Sequence, residues 1–150
     1  MNKKVKLLAV SSSGGHWIQL NRLKNVFEKY DTVFACTDPS LKSTVKGKFY
    51  SLHDANMWDK LGLVKLFLQS MWLILKIRPD VVISTGAAPG FFCIVVAKVF
   101  RKKTIWLDSI ANAEEMSLAG KKIKPFADVW LTQWPEIEKA NGPAYKGQVL

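Results

Sequence analysis

Short apolar runs alternate along this chain with longer apolar or amphipathic segments, and Gly, Ser, Pro and Asp collect between them. Val5–Val10 reads as a strand covered on both faces, and the turn Ser11–Gly15 leads from it into a helix running from about His16 to Lys29. Thr32–Thr37 is a second strand, Asp38-Pro39-Ser40 a turn, and Phe49–His53 a short third strand. Asp59–Ile77 is the most apolar helix candidate. At about 100° per residue, Lys65, Gln69 and Lys76 share one narrow stripe with Trp72 beside it, and nearly every other position is apolar. Such a helix is either deeply buried or turns its outer side to lipid or a partner. Arg78-Pro79-Asp80 ends it.

Val81–Ser84 is the fourth strand, followed by a second glycine turn, STGAAPG, and a very apolar helix Gly90–Phe100 that ends in Arg101-Lys102-Lys103. Thr104–Leu107 is the fifth strand, Asp108–Asn112 a turn, and Ala113–Lys122 a helix with acid early and base late. Val129–Thr132 is the sixth strand; Gln133-Trp134-Pro135-Glu136 turns after it, and the last ten residues head toward another strand. Strand and helix alternating in this way predict one α/β domain over residues 1–150, a Rossmann-like parallel sheet with helices on both faces.

With 150 residues and 49% hydrophobic content, the chain can build one core. The net charge of +10 is concentrated near the N-terminus and points to an anionic lipid surface or a phosphorylated substrate; no nucleic-acid motif accompanies it, so no nucleic-acid partner is expected. Cys36 and Cys93 fall in apolar segments and read as buried thiols in a reducing compartment. No metal-ligand spacing occurs, since His16 and His53 stand far apart without cysteine company. Met1-Asn2-Lys3-Lys4 runs straight into a strand-like segment without a cleavage pattern, and no uncharged apolar run reaches the ~20 residues of a membrane span. A peripheral position on the cytoplasmic face of the cell membrane is the expectation.

Sheets of this kind bind ligands outside the carboxyl ends of their strands. The candidates there are Ser12, Ser13, Gly14, Gly15 and His16 after the first strand, Thr85, Gly86 and Ala87 after the fourth, Asp108, Ser109 and Asn112 after the fifth, and Gln133 and Trp134 after the sixth. Two glycine turns that each open a helix offer backbone N–H groups to phosphate oxygens, and two facing one crevice suit a diphosphate. SSSGGH is neither GxGxxG nor a Walker A loop, and no GxSxG elbow occurs. His16 follows a Gly-Gly turn at a helix N-terminus, where added positive charge is disfavoured; a general base needs an uncharged ring.

Taken in order, SSSGGH, STGAAPG, DSIAN, QWPE and the closing Tyr145-x-Gly147 resemble the bacterial PssD/CpsF-type polysaccharide-biosynthesis proteins over essentially the whole chain. These are similar to the membrane-anchoring subunit of the two-part GlcNAc transferase of eukaryotic N-glycosylation and, more distantly, to the N-terminal half of MurG. The resemblance implies the acceptor-side half of a split GT-B glycosyltransferase. It implies a second chain holding the donor UDP-sugar, a polyprenyl-diphosphate-linked sugar as acceptor, and no cofactor besides. Gly14, Gly15 and Gly86 would then cradle the diphosphate, His16 would be the base, and the apolar helices would lie against the bilayer. Gln19 and Asp108 stand where those relatives have Glu, so no acid/base role passes to Gln19.

Overall fold

The structure, a computed structural model, describes residues 3–150; Met1 and Asn2 of the N-terminal segment lie outside the described residues. Seven strands form one parallel sheet in the order β3-β2-β1-β4-β5-β6-β7, made of Lys6–Ser11 (β1), Asp31–Cys36 (β2), Lys48–Ser51 (β3), Val81–Ser84 (β4), Lys103–Leu107 (β5), Val129–Thr132 (β6) and Ala144–Tyr145 (β7). The expected fold class holds. The last strand is the return that the tail announced, pairing Leu131 with Ala144 and Thr132 with Tyr145.

Alternation along β1 divides the core in two. Leu8 and Val10 face one side, where they pack with Val82, Trp106, Leu66 and Leu73 of helix α3 (Lys60–Ile77), and Cys93 and Ile94 of helix α4 (Ala87–Val99). Leu7 and Ala9 face the other side and meet Trp17 and Leu20 of α1 (Gly15–Arg22) and Phe27 of the short α2 (Lys24–Phe27). Helices thus cover both faces, as expected, but unequally. Over β4–β6 the α1 side carries the C-terminal segment instead: Ile83, Ile105, Leu107 and Leu131 line a shallow cavity with Gly147 and Val149.

Three helices differ from their expected bounds. The first breaks at Leu23, whose φ of −85° and ψ of 7° start a new turn with Val26 and Phe27 donating to its carbonyl. The helix after β4 begins three residues early, at Ala87, because Pro89 in a first turn lacks only an N–H that has no intrahelical partner. The helix expected over 113–122 shrinks to α5 (Leu118–Lys122). Its N-cap is Ser117, whose hydroxyl accepts from Gly120 N–H, while Ser117 N–H and O–H both donate to the Asp108 carboxyl group at 2.7 and 2.6 Å. That capture holds 109–117 as an irregular loop against the end of β5.

Both cysteines are free and buried; burial pushes the Cys93 thiol up to about 12, and Cys36 is raised for the same reason. On the outside, Asp128 accepts from Lys98 Nζ of α4 and from Thr104 N–H at 2.9 Å and Oγ1 at 3.2 Å. The Lys98 bond, followed by those from Thr104, holds its carboxyl below the ordinary value of 3.8. A depressed folded-state value stabilises above the unfolded pKa and is lost as pH falls through the folded one. Asp128→Asn is therefore expected to lower unfolding free energy at neutral pH by about 1 kcal/mol, as for one partly exposed pair. The gap should close below pH ~3.8. Urea titrations across pH check this; parallel curves for both proteins would count against it.

Candidate functional site

The chain leaves β1 for β2 and β3 on one side, then crosses to β4 on the other, so the crevice of the sheet opens between the carboxyl ends of β1 and β4. The turns after these two strands meet there. His16, the second residue of α1, places Nδ1 2.9 Å from the Thr85 carbonyl oxygen, and Thr85 Oγ1 donates to the His16 carbonyl at 2.6 Å. Gly86 has φ 137° and ψ −176°, a conformation only glycine adopts readily. A Cβ there would lie 2.6 Å from both Nδ1 and Cε1 of His16. The Gly86 N–H donates to Ser84 Oγ at 3.0 Å, so Gly86 provides space for the imidazole rather than a free donor for a phosphate. Gly14 and Gly15 stay exposed at the start of α1, whose first N–H groups have no intrahelical acceptor.

In front of His16 lies a cleft of about 610 Å³ between the first turn of α4, the loop through Asn56 and Met57, and the 109–122 segment. Leu63, Phe91, Phe92 and Leu118 make much of its wall apolar. Its polar groups are His16, Asn56, Ser109, Asn112, Ser117 and Lys122. Ala87, at the wall, has φ 66°, the left-handed region that a non-glycine residue enters at a cost of about 1 kcal/mol or more.

Of the residues singled out from the sequence, His16, Ala87, Ser109 and Asn112 line the cleft. Ser12 and Ser13 do not line it, and the Ser13 N–H is donated to Thr37 Oγ1 at 3.1 Å. Thr85 and Gly86 are buried beneath His16. Asp108 is 2% exposed and uses both carboxyl oxygens inside the protein, on Ser117, Trp106 Nε1 and Asn112 Nδ2, so it shapes the loop and does not face the cleft. Gln133 is likewise buried: Nε2 donates to Gln19 Oε1 at 2.7 Å and to the Asp108 carbonyl at 2.9 Å, and Oε1 accepts from Val149 N–H at 2.8 Å. Trp134 Nε1 donates to the Ile110 carbonyl at 2.7 Å.

Sequence reasoning missed Gln19 as the centre of this amide network. It accepts from Gln133 and from Ile110 N–H at 3.1 Å and donates to Ser109 Oγ at 3.2 Å, joining α1, the β5 turn and the β6 turn. Its signal was a lone amide among Trp17, Ile18 and Leu20. Ser109 Oγ also accepts from Ala111 N–H, which leaves its own hydrogen to donate at the cleft. The walls at Asn56, Met57 and Lys122 were missed as well, since no motif marks them.

Around this site the outer side of α3 is apolar. Leu61, Val64, Leu68, Trp72 and Leu75 are exposed, with Met57 and Trp58 just ahead of them. Lys65 and Lys76 stand among them, Lys76 Nζ lying 4.5 Å from the Trp72 ring. This helix is not deeply buried: one side packs into the core and the outer side is exposed. No helix of the described residues is long and apolar enough to cross a membrane.

Residues 51–149 match the model of the family described as oligosaccharide biosynthesis protein Alg14 like. Among curated proteins, the chain is similar to the UDP-N-acetylglucosamine transferase subunit ALG14 of Mus musculus, 28% identical across 99% of this chain and 84% of that protein. It is also similar to the subunit of the same name from Schizosaccharomyces pombe, 27% identical across 87% and 76%. Among solved structures, MurG of Acinetobacter baumannii superposes with a TM-score of 0.76 at 12% identity, covering 95% of this chain and 45% of MurG. A UDP-N-acetylglucosamine 2-epimerase gives 0.73 at 18%, covering 97% and 49%. These structures share the fold, and the chain spans about half the length of each.

Proposed function

This chain belongs to the Alg14-like family of oligosaccharide biosynthesis proteins, and from that premise we propose that it is the acceptor-side subunit of a two-chain glycosyltransferase that moves a sugar from a UDP-sugar to a polyprenyl-diphosphate-linked acceptor. The observation that carries the reading is the largely apolar cleft whose lining includes one imidazole and one lysine, His16 and Lys122. A glycan carried on a lipid diphosphate has that mixed character: the diphosphate suits Lys122, Ser109 and the free N–H groups at the start of α1, and the first isoprene units suit Phe91, Phe92, Leu63 and Leu118.

In the proposed reaction an acceptor hydroxyl oxygen bonds to the anomeric carbon of the donor as the bond from that carbon to UDP breaks. UDP leaves, and the hydroxyl proton passes to His16. The donor is held mainly by a partner chain of GT-B type, and its names in relatives make UDP-N-acetylglucosamine the first donor to test. The apolar face of α3 rests in the bilayer surface on the cytoplasmic side, with its lysines at the headgroups. Reconstitution tests the proposal: the purified chain alone is expected to transfer little, and the pair to transfer sugar to a polyprenyl-diphosphate acceptor.

A scaffold that merely recruits the partner to the membrane is the second reading, favoured by the exposed apolar face alone. Variants of His16 separate the two, because a scaffold tolerates them.

A further inference from the structure

We propose that Thr85 and Gly86 are positioning residues for His16, holding its imidazole as the Nδ1–H tautomer with Nε2 as the acceptor facing the cleft. This rests on the reading of His16 as the base. A carbonyl oxygen only accepts, so the 2.9 Å contact with Thr85 puts the hydrogen on Nδ1. In the uncharged ring the lone pair is then on Nε2. The Nδ1–Cε1 edge lies against Thr85 and Gly86, and His16 is a wall of the cleft, which leaves the Nε2 side for the ligand.

The clasp is reciprocal. His16 donates through its ring to the Thr85 carbonyl, and Thr85 donates through its hydroxyl to the His16 carbonyl at 2.6 Å. Ring and backbone of one residue are thus fixed by backbone and side chain of another 69 positions away. Thr85 is fully buried, so water does not reach its carbonyl or hydroxyl oxygen. Gly86 completes the seat: a Cβ at that position would meet the ring at 2.6 Å. These two residues, singled out from the sequence as ligand contacts, act through His16 instead.

The test uses the chain with its partner for kinetics and ¹⁵N-histidine-labelled chain for nuclear magnetic resonance at alkaline pH. Wild-type His16 is expected to show the Nδ1–H pattern. Thr85→Val removes the hydroxyl that holds the His16 backbone but keeps the carbonyl that accepts from Nδ1, so the Nδ1–H pattern should persist while the ring signals shift and kcat falls about tenfold, the equivalent of about one hydrogen bond, with KM for both substrates nearly unchanged. Thr85→Ser should restore both readouts. Gly86→Ala should displace the ring and shift its signals even where the fold is weakened. An Nε2–H pattern in wild type, or ring signals unchanged in both Thr85→Val and Gly86→Ala, overturns the proposal. Shifted ring signals with full kcat uphold the clasp and instead remove His16 from the chemistry.

Discussion

Replacing His16 by Ala is expected to lower the turnover of the assembled transferase by about 10²- to 10⁴-fold, the range for loss of a general base. His16 is the cleft-lining imidazole at the carboxyl edge of β1 and β4, the part of a doubly wound sheet where ligands sit. Its ring makes one hydrogen bond to the protein, to the Thr85 carbonyl, and the side chain is half-buried. The stability cost is then about 1 kcal/mol, small beside the catalytic effect. Steady-state kinetics at saturating donor and acceptor, beside thermal unfolding, make the comparison. A variant that melts near wild type and has lost its turnover supports the role. Full turnover would leave the chain as a recruiter.

Membrane binding gives the second large effect. Trp58 is 89% exposed and Leu61 85% exposed, and Leu68 lies two turns along the same helix, also exposed. None belongs to either core cluster, so changing them should leave the fold intact. Burying three such side chains at a lipid surface contributes about 3 kcal/mol or more, so exchanging all three for Glu should weaken partition into anionic vesicles by about 100-fold or more. Vesicle co-sedimentation with unchanged circular dichroism measures it. Wild-type partition by the triple variant would show that α3 does not face the lipid. A moderate salt dependence is expected in the wild type, because Lys60, Lys65 and Lys76 also stand exposed on α3.

The central strands β1 and β2 were legible because they are buried over most of their length and so read as apolar runs between turn residues, and Val81–Ser84 and Val129–Thr132 match to the residue. The long helix before Arg78 was legible for a related reason, since Asp59 caps it through Gly62 N–H and Arg78, in left-handed geometry, closes it. The segment after β5 was not. Nothing local in ANAEEMSL disfavours helix, and what unwinds it is the carboxyl group of Asp108, nine residues from Ser117 and adjacent only after folding. The same limit governs the site. His16 was visible because a Gly-Gly turn frames it in sequence. The roles of Gln19 and Gln133 depend on a contact spanning 114 positions, and an amide carries no sign of whether it will bind ligand or backbone. Asn56, Met57 and Lys122 reach the cleft from segments with no motif of their own.

The most direct measurement of the central claim is transfer of labelled N-acetylglucosamine from its UDP donor to a polyprenyl-diphosphate-linked sugar in vesicles. It compares this chain alone, the donor-domain partner alone, and the two together. The account predicts little product from either chain and sustained transfer from the pair, abolished by His16→Ala in this chain. Full transfer by the partner alone, unaffected when this chain is added or altered, would contradict it.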